Sequence, residues 1–168
     1  FDVDKFDRTS EFKETTAKRR SLEAMRTSLV SLKSRGGSIK EFVDFRHEVV
    51  VRRTKYELRK AEERAHILEG YIIALNNLDA VIALIRNSAT PAIAQEGLIS
   101  EFGMSEIQAK AVLELRLQRL TGMEIEKIRE EHAEVMKLIE RLKEILATES
   151  IRFDIIKTEL IEVKNKFG

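Results

Sequence analysis

Leu58–Leu75, LRKAEERAHILEGYIIAL, and Ile125–Leu146, IEKIREEHAEVMKLIERLKEIL, decide the fold between them. In the first, Leu58, Ala61, Ala65, Leu68, Ile72 and Leu75 recur at steps of 3, 4, 3, 4, 3. In the second, Ile125, Ile128, His132, Val135, Ile139, Leu142 and Leu146 recur at steps of 3, 4, 3, 4, 3, 4. Alternating threes and fours keep one stripe of an α-helix facing a partner, the mark of a coiled-coil seam. About four dozen residues separate the two stripes, enough for two short helices and too few for a large domain. The pattern predicts an all-α fold: a long antiparallel two-helix coiled coil with a small globular head at about residues 87–121.

Composition agrees with long, water-facing helices. Of 168 residues, 35% are charged, one is proline and none is tryptophan, a profile of helix rather than of a thick globular core. Thirty basic residues nearly cancel 29 acidic ones, so the chain as a whole carries no strong field to draw in nucleic acid. The absence of cysteine excludes a disulfide framework and thiolate metal sites and fits a cytoplasmic setting. No apolar run approaches the ~20 residues of a membrane span, so no membrane partner is expected.

Working outward from the seams, Leu22, Met25, Leu29 and Leu32 form a shorter helical stripe ahead of Arg35-Gly36-Gly37-Ser38. Paired glycines cost a helix about 1 kcal/mol each relative to alanine, so a first helix should stop there. Ser38 with Glu41 has the spacing of a capping box for the next helix, expected over about Ile39–Arg86. Gly-Gly-Ser also suits a linker between fused pieces, and both readings stay open at this point. Upstream of Leu58 the seam continues more weakly through His47, Val51 and Thr54. The strict heptad breaks near Asp79, where a coiled coil would splay into a head. Gly70, inside the helix, permits a close backbone approach or a slight bend.

Three N-cap signals divide the head. Thr90 precedes Pro91 at the first helical position, and that helix should end at left-handed Gly103. Ser105 with Gln108 opens a helix expected to reach about Leu120, and Thr121 with Glu124 opens the return helix, which should run to about Ala147. A last stripe, Phe153, Ile156, Leu160, Val163 and Phe167, follows Thr148-Glu149-Ser150. The two arms, Ile39–Arg86 and Thr121–Phe167, are each about 47 residues, or ~70 Å of helix.

On a helical wheel for residues 105–120, Ile107, Ala111 and Leu115 cluster on one side. Ala109, Leu113, Leu117 and Leu120 cluster nearly opposite. A small head can cover one such face, and an uncovered apolar face marks an interface. The candidates for a homodimer contact at the tip are therefore Ala109, Leu113 and Leu117, with Ile99 and Met104 beside the preceding turn. The alternative is a head folded around both faces.

No catalytic constellation is legible. His47, His66 and His132 are far apart and read as packed or hydrogen-bonded residues. Neither Tyr56 nor Tyr71 has an activating neighbour. Catalytic, metal and cofactor assignments are therefore none. The acidic run Glu126, Arg129, Glu130, Glu131 and Glu134 reads as a solvated face with i,i+4 pairing. The basic stretch Arg46, Arg52, Arg53, Lys55, Arg59 and Lys60 is read either as a phosphate contact or as an outer face answered by Glu57, Glu62 and Glu63. Lys18-Arg19-Arg20-Ser21 has the form of a basophilic kinase site, a string too common to carry weight.

EFVDFRHEVVVRRTKYELRKAEERAHILEGYIIALNNLDAVIALIRNS (Glu41–Ser88) resembles the outgoing helix of the A subunit of bacterial type IIA topoisomerases, DNA gyrase first and topoisomerase IV second. AQEGLISEFGMSEIQAKAVLELRLQRLTGMEIEKI (Ala94–Ile128) resembles that family's globular tip and the start of its return helix. The resemblance covers about residues 39–168 and implies the coiled-coil arm and the exit gate of such an enzyme. In the full enzyme it implies homodimer contact through the tip, with DNA and the B subunit of gyrase as partners. The family's nucleophilic tyrosine follows an arginine in a winged-helix domain; neither Tyr56 nor Tyr71 has that context, so this piece is expected not to cut DNA. Residues 1–38 match no pattern of the family and read as a foreign helix joined through Gly36-Gly37-Ser38. On that reading residues 1–35 would bind an unknown protein partner, with the arm as scaffold.

Overall fold

A computed structural model describes residues 3–167, with side chains from residue 18 onward. Seven α-helices follow in order: α1 (Val3–Ser34), α2 (Ile39–Asn76), α3 (Leu78–Asn87), α4 (Pro91–Phe102), α5 (Glu106–Leu113), α6 (Gly122–Ala147) and α7 (Glu149–Phe167). A short 3-10 turn, Leu117–Leu120, lies between α5 and α6. No strand occurs among the described residues, and the fold is all-α as the spacing predicts. The chain divides into two compact units, Phe1–Thr54 with Ile145–Gly168, and Lys55–Glu144.

In the first unit α1 packs against α7. The stripe Leu22, Met25, Leu29 and Leu32 meets Leu160, Val163 and Phe167 of the last stripe, and Phe42 of α2 closes the cluster. Between α1 and α2 the chain turns through a Schellman motif. Gly36 takes φ 71°, Gly37 N–H donates to Leu32 O at 2.9 Å, and Gly36 N–H donates to Lys33 O at 3.3 Å. That is the 6→1 and 5→2 pair which satisfies orphan carbonyls at a helix end. A Cβ on Gly37 would run into Leu32 Cδ1, so the leucine closes over the second glycine. Ser38 Oγ then accepts Glu41 N–H at 3.2 Å and caps α2. Gly-Gly-Ser is thus a built helix–helix turn, with a structural use for each of its three residues.

In the second unit α2 and α6 run antiparallel, since the numbers along α2 rise as those along α6 fall. Glu62 meets Lys143, Glu69 meets His132, and Asn76 meets Arg129. Ala61 and Ala65 pack with Ile139 and Leu142, flanked by Leu58 and Val135, while Leu68 and Ile128 are fully buried. His132 sits at the seam's edge, its Nε2 3.5 Å from Glu69 Oε1. Beyond Leu68 the buried position moves to Ala74, leaving Ile72 and Leu75 half-covered. The expected single helix Ile39–Arg86 is in fact two, because the axis turns by 91° at Asn77. Asn77 leaves the helical conformation (φ −126°, ψ 34°) and its side-chain amide donates to Ile73 O at 2.9 Å. The heptad break near Asp79 was the trace of that corner.

Of the three N-caps read in the head, two form as expected. Thr90 Oγ1 accepts Ile93 N–H, and Ser105 with Gln108 completes a reciprocal capping box. Gly103 ends α4 at φ 67°. The Thr121–Glu124 box does not form. Thr121 donates its hydroxyl to Gln118 O at 3.3 Å, and the Glu124 carboxylate is engaged by Arg119 and Lys127. α5 also stops at Leu113 rather than near Leu120, with the backbone extended at Arg116 before the 3-10 turn. The wheel that joined Ala109 to Leu117 on one helix therefore does not apply.

Candidate functional site

The head's core is small. Val81 of α3, Leu98 of α4, and Ala109 and Val112 of α5 gather with Ala74 and Met104. Met104 and Ala109, both expected at an intermolecular contact, are interior residues, 3% and 0% exposed. Ala109 is small enough to let α5 lie close to its neighbours, and Met104 fills the turn behind it. Leu113 is half-buried against the same cluster. Ile99 is at the margin of exposure on α4, and Leu117 stands out at 83% exposed.

Ending α5 early places Leu117 somewhere the wheel could not. A groove of about 260 Å³ runs along the head, walled by Leu75, Leu78, Val81, Ile82 and Ile85 on one side and by Leu113, Leu115, Leu117 and Leu120 on the other. Arg86 is its one charged lining residue. Of the five predicted contact residues, Leu113 and Leu117 line this groove together, Ile99 lies outside it, and Met104 and Ala109 lie beneath it in the core. Ile82 and Ile85 were missed. Their signal was present in the apolar spacing that continues past the heptad break, through Leu78, Val81/Ile82 and Ile85.

Behind the groove a polar node fastens α5 to α2. The side-chain oxygen of Gln108 accepts Ser105 N–H at 2.9 Å, and Gln108 Nε2 donates to His66 O at 2.8 Å. His66 Nε2 lies 2.7 Å from Ser105 Oγ. Gln108 is buried, and this arrangement pairs its amide at both ends, which removes the cost of an unsatisfied polar group. The node needs a gap on α2, and Gly70 provides it: a Cβ there would lie 2.8 Å from Gln108 Cβ. The close approach allowed by the sequence is therefore realised against α5.

The basic stretch of α2 has several fates. Arg46 and Arg53 each donate to one oxygen of Glu159 on α7, both at 2.8 Å. Burial alone would push the Glu159 carboxyl upward; the two guanidinium hydrogen bonds and charges outweigh it and hold the group below its ordinary range. Arg46 is only 5% exposed, and its Nε has no partner among the described residues. Arg59 and Lys60 answer Glu63, and both lie over the ring of Tyr56. The other tyrosine, Tyr71, is packed against the head core. No three His, Cys, Asp or Glu side chains among the described residues group closely enough to hold a metal ion, and no single described helix is long and apolar enough to cross a membrane.

An apolar groove at a helical corner, backed by an antiparallel helix pair, is the setting in which the sequence matches become informative. The family model describing the A subunit of DNA gyrase/topoisomerase IV matches residues 13–161. The chain belongs to that family. It is 50% identical over 127 residues to the A subunit of DNA gyrase from Helicobacter pylori, which is 76% of this chain and 15% of the relative. It is 52% identical over 130 residues to the same subunit of Clostridium acetobutylicum, covering 77% of this chain and 16% of the relative. With that of Aminobacterium colombiense the identity is 54% over 127 residues, covering 76% and 16%. The chain thus spans about a sixth of the length of these relatives.

The gyrase/topoisomerase IV match begins at residue 13, well ahead of Gly36-Gly37-Ser38. Residues 13–38, unmatched on the sequence reading, fall inside the family region. Together with the packing of α1 on α7 and the Schellman turn, this leaves the reading of residues 1–38 as a fused passenger without support.

Proposed function

We propose that this chain is the arm and exit-gate portion of the A subunit of a type IIA topoisomerase and that it self-associates through the groove on its head. In the whole enzyme, acting in the cytoplasm with the B subunit of gyrase, this portion would hold two A subunits together while DNA is cut. It would then part to release the transported duplex during ATP-dependent supercoiling. The portion itself is non-catalytic on this reading. Tyr56 has cations over its ring and Tyr71 is packed against the head core, and among the described residues neither phenol is held by a cluster that could bind a metal ion.

The carrying observation is Leu117, 83% exposed at the lip of a groove whose walls, apart from Arg86, are aliphatic. A leucine in that position gains roughly 25 cal/mol for each Å² of apolar surface it buries, and apolar contact has no directional bonds to rebuild at each closure. Sedimentation equilibrium tests it: the chain should be a dimer at micromolar concentration, and Leu117→Asp should make it a monomer with unchanged helicity by circular dichroism. Burying an unpaired carboxylate costs several kcal/mol, enough to shift Kd by orders of magnitude. A wild-type chain that stays monomeric at high micromolar concentration contradicts the proposal.

A further inference from the structure

α6 stops at Ala147 and α7 starts at Glu149. Such a break takes from the last carbonyls of α6 the amide partners a continuous helix would bring. Arg152 replaces them. Its Nη1 donates to Ile145 O at 3.1 Å and to Leu146 O at 2.7 Å. The same guanidinium donates through Nε to His47 Nε2 at 2.9 Å, and the His47 ring stacks on Phe153 with centroids 5.3 Å apart. One arginine thus ties the end of α6 to a histidine on α2, all within the first unit.

We propose that His47 and Arg152 form a proton-released latch on the joint between α6 and α7. The guanidinium cannot give up its proton in a protein, so it is always the donor in this pair. The bond therefore exists only while His47 Nε2 is bare and the ring neutral. Histidine is the side chain whose charge changes between about pH 5 and 8. When Nε2 takes a proton from solvent, an N–H faces an N–H, each on a cation, across 2.9 Å. The guanidinium must turn away, and the carbonyls of Ile145 and Leu146 lose their donor together. The end of α6 then frays, and the joint loosens.

Among the described residues no compensating charge is bonded to the ring. Arg152 is the one charged group of α7 hydrogen-bonded to it among the described residues. Glu159, two turns further along α7, is committed to Arg46 and Arg53. Glu149 lies one turn before Arg152 on α7, and Asp44 and Glu48 flank His47 on α2. No carboxylate among the described residues hydrogen-bonds the imidazole to hold it once protonated.

The test is amide hydrogen exchange of the 168-residue chain between pH 8 and 5.5, corrected for intrinsic rates and read at residues 145–147 and 152. Protection there should fall about tenfold on acidification, the order expected when a hydrogen bond to a charged group is lost. Protection at Leu98, in the second unit, should not change. In His47→Gln, whose side-chain oxygen can accept from Arg152 and does not titrate, protection at the joint should be flat across that range. A second readout needs no variant: the 15N signals of the wild-type His47 ring should report a bare Nε2 at pH 8. The midpoint of that ring's titration should coincide with the midpoint of the loosening. Loosening that persists unchanged in His47→Gln, a joint that does not loosen, or midpoints that disagree would each overturn the latch.

Discussion

The two units are built from the same material, long charged helices, and hold them together by different means. Lys55–Glu144 relies on fit: alanines set the spacing of α2 and α6, and Gly70 lets Gln108 approach the backbone. Phe1–Thr54 with Ile145–Gly168 adds ions to its apolar cluster, with Arg46 and Arg53 clamping Glu159 and Arg152 tied to His47. Apolar packing adds stability wherever complementary surfaces meet, whereas a buried ion pair is weakly stabilising in itself and strongly destabilising when half of it is removed. The first unit should therefore be brittle toward single charge deletions and sensitive to acid, and the second should respond to changes in volume.

Glu159→Ala is the sharpest way to break that contrast. It strands Arg46 in the interior and leaves Arg53 without its partner, a loss of about 3–5 kcal/mol, measurable by urea denaturation. The carboxyl's lowered native pKa fixes the sign of the pH effect. The clamp's contribution is complete above the group's ordinary value of 4.5 and is lost as pH falls through the lowered one. The acid limb of the stability curve should flatten in Glu159→Ala. If the variant unfolds at the same urea concentration as the wild type, the first unit does not depend on its ions.

Gly70→Ala probes the second unit. An alanine in place of glycine favours a helix interior by about 1 kcal/mol. The new methyl would meet Gln108 Cβ at 2.8 Å, Cγ at 2.9 Å and Cα at 3.3 Å. The last of these is backbone and cannot turn aside, and overpacking costs about 1–3 kcal/mol. A net loss of about 1–2 kcal/mol is expected, and a gain would mean that α5 is not seated on α2 through Gly70.

Arg64→Ala should have the least effect. Its guanidinium grips both oxygens of Glu131 at 2.7 and 3.0 Å, but both side chains are well exposed. Less than about 1 kcal/mol should be lost, and less still at high salt. A larger loss would place ionic stabilisation in the second unit too and erase the contrast.

The same difference explains what the amino-acid sequence reveals. Apolar spacing is periodic, so the stripes Leu58–Leu68, Ile128–Leu142 and Leu22–Leu32 can be read along the chain, as can the caps at Thr90 and Ser105. A buried arginine carries no such signature. Arg46 looks like Arg52 or Arg59, and its partner Glu159 is 113 residues away. Likewise no glycine or proline marks the end of α5 at Leu113; tertiary packing sets it, and so the wheel extended too far. That error joined Leu117 to Ala109 and Leu113 on one helix face; Ala109 is interior instead, as is Met104, which was assigned beside the preceding turn. The glycines before Ser38 were legible as a stop. Their service as a Schellman turn depends on Leu32 folding back over Gly37, which no local pattern reports.

The proposed gate can be tested most directly with a single thiol. The chain has no cysteine, so Leu117→Cys introduces the sole one, at an exposed position where the fold should tolerate it. If two heads meet through the groove, mild oxidation should convert most of the variant to a covalent dimer at low micromolar concentration. The equally exposed Ile39→Cys, in the first unit, should remain largely monomeric under the same conditions. Equal, slow cross-linking of both variants would mean random collision and would contradict self-association through the head.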